Sequence, residues 1–440
     1  MNTQRLQELA SFVVAEAKRL GATDCDVTIV NDESVETNCR QGEIETLKGA
    51  QGRGLTFRGF VGQNSASTSS SDFRRRSLTR LVRDTVTMAK ASQPDEFAGL
   101  PAREFLAGAT PELGLYDEAA SKLSPEAKFE LAKACEAAAL AADKRITKTD
   151  GASFSEEKEA RVYANSRGLS GAYVSSACSM GVAVIAPQGE EMEQVGSWYT
   201  MSRKLSGLQA ADAVGKKAAA RALSQLGGRR VPSQKAPVIF DPSMAAGLLG
   251  QFAGAAAGSS IYRNSSFLVG KLGEKVAADG VEIIDDALMP GAIGSRPFTG
   301  EGLPCGKRVI VANGKLGCYF LDSYAGRKLK CNPNGGGATN LYIKPGKFCL
   351  QEIIGSVKSG LYLTSVSGPG FNQVTGDYSR GASGIWIENG ELAFPVQEIT
   401  IAGNVLEMLQ AIEMVGNDLE FRSSVNAPTL KIAEMSIAGS

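Results

Sequence analysis

Apolar positions recur at two periods along the chain. Leu6, Leu9, Phe12, Val13, Ala17 and Leu20 fall at helical spacing with charges between them, which predicts an amphipathic helix over 3–20 closed by Gly21. The period then drops to two. Residues 26–30 alternating toward Val35, 42–48 and 54–61 read as strands of an antiparallel meander, with the Gly-rich 49–54 segment as a turn and a Ser/Thr run over 65–71. A helix is expected over 73–91, with Leu78, Leu81, Val82, Val86 and Ala89 on one face, and residues 92–123 lack a clean period and read as a connection. Ser124 as cap and Pro125 at the first position then open a helix to about residue 143. Five short strands follow at 146–149, 159–164, 169–175, 180–185 and 191–199, with turns at 165–168 and 186–189, and a helix over 207–226 leads into a polar linker. A domain boundary is expected near residue 230.

Beyond that boundary the apolar run Pro237 to Phe240 predicts a strand feeding directly into a helix. Asp241 suits the N-cap, Pro242 the first helical position and Gly258 the stop. Nine of the fifteen residues over 243–257 are Ala or Gly, and Gly247, Gly250 and Gly254 together cost about 3 kcal/mol relative to alanine. Either the helix is a buried Ala-rich core element, or its glycines admit another backbone, a neighbouring chain or a ligand. The remainder is strand-rich, with Asn313-Gly314 and Asn389-Gly390 as hairpin turns, because Asn-Gly accepts the positive φ of a type I′ turn. The triple glycine at 335–337 has no Gly-Lys-Ser/Thr after it, which argues against a phosphate loop; such a loop beside strands is more often a flexible surface crossing. A last helix is expected over 405–415. The fold class is therefore α+β: an N-terminal domain over 1–229 with helices packed on antiparallel sheet, divisible into modules 1–95 and 120–229, and a strand-rich C-terminal domain over 230–440.

Composition narrows the chemistry. Among 440 residues Lys+Arg and Asp+Glu each total 47, so no global charge points to nucleic acid or to an anionic membrane. Arg74-Arg75-Arg76 is the one tight basic run and reads as a solvated helix face. No stretch of about 18 apolar residues suggests a membrane span. The eight cysteines are scattered, without Cys-x-x-Cys, and read as reduced thiols of a cytoplasmic protein. The chain contains no histidine. That removes Ser-His-Asp and Cys-His nucleophiles and His-ligated zinc, and leaves Ser-Lys catalysis, carboxylate or Tyr acid–base work, or an oxygen-ligated metal. Asp322, Asp377, Tyr378 and Glu388 are the candidate side chains for such chemistry, although turn caps and rim positions are the better reading of them.

Several stretches resemble the TldD/PmbA family, whose members have also been called modulators of DNA gyrase. They are TGEGLP at 299–304, LDSYAGRK at 321–328, ATNLYIKPG at 338–346, TGDYS at 375–379, GIWIENG at 384–390 and VQEITIAGN at 396–404; residues 36–60 resemble the family's amino-terminal domain, so the likeness covers nearly the whole chain. In that family TldD-type subunits carry a His-Glu-x-x-x-His helix and a downstream Cys that hold a catalytic metal, whereas the TldE/PmbA subunit lacks them and pairs with TldD to degrade unfolded or extended peptides. Carried onto this sequence, the resemblance puts Gly250 and Ala255 at the histidine positions, Gln251 at the glutamate and Tyr342 at the cysteine. Gly and Ala offer no lone pair and a neutral Gln cannot deprotonate a metal-bound water. The resemblance thus implies no catalytic residue, metal or cofactor, a TldD-like partner, and peptide binding near Gly336, Gly337, Asn340 and Tyr342. The alternative is a stand-alone homo-oligomeric peptide-binding or scaffold protein without peptidase activity, and a homodimer is expected when the chain is alone.

Overall fold

The computed structural model describes residues 3–108, 111–189 and 192–439. Helix α1 (Thr3–Arg19) turns Ala10, Val13 and Ala17 inward, as its spacing predicts. Strands β1 (Asp24–Arg40), β2 (Glu43–Val61) and β3 (Asn64–Ser70) follow, then α2 (Arg75–Ala91), α3 (Pro125–Ala141), β4 (Lys148–Asn165), β5 (Ser170–Gln188), β6 (Met192–Ser202) and α4 (Ala211–Leu223). The six strands form one antiparallel sheet in the order β3-β2-β1-β4-β5-β6. Central β1 pairs with β2 on one side and β4 on the other, so the stretches before and after the 92–123 connection share a sheet. Helices α1 and α2 cover one half around Val27, Ile29 and Phe57. Helices α3 and α4 cover the other around Phe154, Val182 and Val184.

Two expectations fail here. The 49–54 segment is not a turn: β2 runs through it, in register with β1 from Val35 opposite Gly49 to Val30 opposite Gly54. The continuous ladder overrides the glycines' low strand propensity, and the Asp32 carboxylate lies over Gly52 across the pair, where a Cβ would stand 2.5 Å from it. The four separate strands expected over 146–185 are also only two, β4 and β5. Between the predicted pieces the inward side of β4 carries Glu156, whose carboxylate accepts from buried Lys128 at 2.7 Å. A buried ion pair hides the alternation that would have joined them. The predicted strand start at residue 191 lies outside the described residues.

In the C-terminal part β7 (Gln234–Phe240) feeds α5 (Pro242–Ala255) and the short α6 (Gly258–Tyr262). Then come β8 (Ile283–Asp286), β9 (Lys307–Ala312), β10 (Lys315–Leu316), α7 (Ser323–Leu329), β11 (Leu341–Ile343), α8 (Leu350–Gly355), β12 (Ser359–Ser367), β13 (Asp377–Glu388), β14 (Glu391–Asn404), α9 (Val405–Gln410), β15 (Ile412–Val415), β16 (Val425–Asn426) and β17 (Leu430–Ala438). One sheet runs β10-β9-β8-β11-β16; the other runs β14-β13-β12-β7-β17-β15, and an added β14–β17 pairing closes its first five strands into a barrel. Both Asn-Gly turns form as expected, with φ of +47° and +76° at Asn313 and Gly314 and +52° and +82° at Asn389 and Gly390.

Two helix ends differ from expectation. Helix α5 caps at Ala256, and Gly258 opens α6 because a Cβ there would sit 2.5 Å from that of Ala325 and 2.9 Å from the Phe320 carbonyl. The last helix stops at Gln410, and Ile412 enters β15, paired with Ile432 of β17. Three arginines fasten the two parts together. Arg203 donates to the carbonyls of Ala292 (3.0 Å) and Ile293 (2.6 Å), Arg327 donates to those of Phe97, Gly99 and Leu100, and Arg221 binds Asp241 (3.0 Å) and the Thr364 carbonyl (2.9 Å).

Candidate functional site

Helix α5 starts where its capping residues dictate. Asp241 accepts from the Met244 amide at 2.9 Å through one carboxylate oxygen, Pro242 occupies the first turn, and the other oxygen takes Arg221 from the last turn of α4. One carboxylate therefore caps the helix and ties its origin to the N-terminal part. Ala245, Leu248, Leu249, Phe252 and Ala255 face the core. On the other face a Cβ added at Gly247 or at Gly250 would meet nothing within 4 Å, while at Gly254 it would meet the Gln373 carboxamide at 3.2 Å. The glycine cost of this helix is thus not offset at Gly247 or Gly250 by close packing within the chain. Their face looks onto open space.

A groove of about 310 Å³ lies over the first turns of α5, between Ser243, Ala246 and Gly247 on the helix, Arg422 and Asn426 of the 420–427 segment, and Tyr199 of β6. Arg422 forms its wall: the guanidinium carbon stands 3.9 Å from the Trp198 ring centroid, and Nη2 donates to Ser243 Oγ at 3.2 Å. Strand β6 ends the N-terminal sheet, pairing with β5 along one side, so an edge strand borders the groove. Tyr199 and Phe421 leave large apolar surface exposed nearby, at 46% and 40%. None of Trp198, Tyr199 and Arg422 was among the expected site residues, and the sequence offers no local signal that they meet.

The expected site residues separate into different roles. Gly250 borders open space, Gln251 is half-buried with its side-chain oxygen buried and without a hydrogen-bond partner among the described residues, and Ala255 is fully buried in the core, its carbonyl accepting from Ser266 Oγ at 2.7 Å. Tyr342 sits on β11, against which α5 packs, and its ring meets Phe421 edge-on at 5.2 Å; burial, followed by the charge of Asp286, pushes its phenol pKa up. Asn340 is fully buried, donating to the Asp286 carbonyl (2.7 Å) and Ser295 Oγ (2.8 Å) and accepting from the Gly294 amide (2.8 Å). That carboxamide holds loops together and presents no free group to a ligand. Gly336 and Gly337 do not form a flexible crossing. Arg308 gathers the carbonyls of Asn334 (3.0 Å), Gly336 (2.7 Å) and Gly337 (3.0 Å) and pairs with fully buried Asp285, which also accepts from the Thr339 amide at 2.6 Å. A charge-assisted network of this kind fixes the loop.

The donor set around α5 does not fit a catalytic metal. The positions at issue supply one neutral amide oxygen and a phenol, with no imidazole, thiolate or carboxylate among them, and among the described residues no group of three or more His, Cys, Asp or Glu gathers as ligands. What the arrangement does offer is an open helix face, an edge strand and fixed main-chain carbonyls.

The fold is that of an α+β protein, and among the described residues no cluster of metal-ligating side chains gathers at α5. The family description "PmbA/TldA metallopeptidase C-terminal domain" matches residues 233–439, with the central domain matching 118–226 and domain 1 matching 25–89. The metalloprotease PmbA of Escherichia coli O157:H7 is 37% identical over 99% of this chain and 96% of its own, and the PmbA homolog of Haemophilus influenzae is 36% identical over the same shares. A candidate modulator of DNA gyrase from Bacteroides thetaiotaomicron superposes with a TM-score of 0.94 at 29% identity, covering 98% of both chains. TldE of Thermococcus kodakarensis shares the fold, with a TM-score of 0.87 at 21% identity over 98% of this chain and all of its own. The chain belongs to the PmbA/TldD metallopeptidase family.

Proposed function

We propose that this chain is the non-catalytic, TldE/PmbA-type subunit that pairs with a TldD-type metallopeptidase and helps hold extended or unfolded peptides for cleavage. The observation that carries the reading is the side chains of α5: Gly250, Gln251 and Ala255 leave neither metal ligands nor a general base at the positions the resemblance singles out. The chain's own contribution is binding. An extended segment laid along the β6 edge makes main-chain hydrogen bonds whatever its sequence, and the groove beside Tyr199 and Arg422 takes a side chain. Exposed Tyr199 and Phe421, close to the open Gly247–Gly250 face, supply the aromatic surface that protein interfaces favour. In the absence of its partner the chain uses the same surface to form a homodimer.

The test is co-purification. Mixed with a TldD-type subunit, the chain elutes with it as a stoichiometric complex in size-exclusion chromatography with light scattering. Separate elution of the two at micromolar concentration overturns the reading and leaves the stand-alone scaffold in its place.

A further inference from the structure

We propose that the cleft between α1 and the β3–α2 connection binds a phosphorylated small molecule with an apolar body. The cleft encloses about 990 Å³, the size of a small-molecule site, and shares no residue with the groove at α5. Arg5, Arg53, Arg74 and Arg75 line it against Glu8 and Asp72, so positive charge is in excess by two. Arg74 is already spent on Asp72, with Nε 2.9 Å from each carboxylate oxygen. Arg53 and Arg75 are different. Their guanidinium carbons stand over the Phe73 and Phe12 rings at 5.5 Å and 4.9 Å, and among the described residues neither has an ion-pair partner.

The two rings hold these guanidinium groups at the cleft, and a guanidinium's N–H fork matches the oxygens of a phosphate. Leu6, Leu9 and Phe73 add an apolar floor for an organic body. A phosphomonoester carries about two negative charges at neutral pH and three acceptor oxygens, which answers both the charge excess and the two forks. A single carboxylate answers only one.

Calorimetric titration of the full chain at low salt with phenyl phosphate, inorganic phosphate and benzoate tests the assignment. Phenyl phosphate is expected to saturate one site with a Kd below about 1 mM and to bind roughly tenfold more tightly than either of the others. The double variant Arg53→Gln with Arg75→Gln, both exposed side chains, weakens it by roughly tenfold or more with an unchanged thermal melt. Absence of saturable binding, or equal binding by the double variant, overturns the site. Benzoate binding as tightly overturns the preference for phosphate, and inorganic phosphate binding as tightly overturns the apolar body.

Discussion

At the residue scale, the most consequential side chain in the C-terminal part is Asp285, at zero exposure and paired with Arg308. Replacing it with alanine removes the counter-charge of the largely buried Arg308 guanidinium and strands two Thr339 donors, so Asp285→Ala is expected to cost about 3–5 kcal/mol in urea unfolding and to loosen the 334–337 loop. Nothing short-range announced this pair. Asp285 follows two isoleucines and Arg308 opens an apolar strand 23 residues on, so only a charge set among apolar residues hinted that a partner was required. Buried thiols carry a pH signature, and Cys25 and Cys135 are displaced furthest, ahead of Cys39 and Cys178. Burial, then the Asp26 charge, pushes Cys25 up from 9.0 to about 12, and burial, then the Glu136 charge, does the same for Cys135. Above pH 9 the unfolded chain gives up these protons while the folded chain keeps them, so the folded state binds more protons and stability falls as pH rises toward 12. Urea melts at pH 8 and pH 10 are expected to differ by about 3 kcal/mol from these two groups.

Helices and hairpins were legible at the scale of elements wherever local chemistry decides the outcome. Ser124 and Asp241 cap their helices with the bonds the sequence implies, accepting from the Ala127 and Met244 amides at 3.2 Å and 2.9 Å. Both Asn-Gly turns are where expected. Strand lengths were not legible, because Gly52 reads as a turn residue until Asp32 is placed opposite it, and Glu156 reads as a break until Lys128 covers it. The start of α5 was legible and its end was not, since Gly258 serves a close approach to α7 rather than a helix stop. The choice left open for α5 resolves by face: Ala255 is core, whereas Gly247 and Gly250 border open space. Gly250→Ala therefore separates self-stability from association. The variant is expected to raise the stability of the isolated chain by up to about 1 kcal/mol in thermal or urea melts, while weakening co-elution with a TldD-type subunit. Unchanged pairing would place the partner elsewhere.

For the whole molecule, the absence of histidine did more than any motif, because it removed most hydrolytic mechanisms before any fold was considered. The family was readable from Gly-rich strand segments that mean little one by one. The closure of the barrel through β14 and β17, and the arginine fastenings of Arg203, Arg221 and Arg327, were not readable, since they join residues from 20 to 230 positions apart through main-chain hydrogen bonds, carbonyls or a cap. Among the described residues no helix is long and apolar enough to cross a membrane. We propose that this chain supplies binding surface and partner contacts but no catalytic machinery. The most direct test is cleavage of an unstructured peptide, with added divalent zinc, by the chain alone, by a TldD-type subunit alone and by the two together. The chain alone is expected to give no cleavage above background and the pair to cleave faster than the TldD-type subunit; chelator-sensitive cleavage by the chain alone would overturn the non-catalytic role.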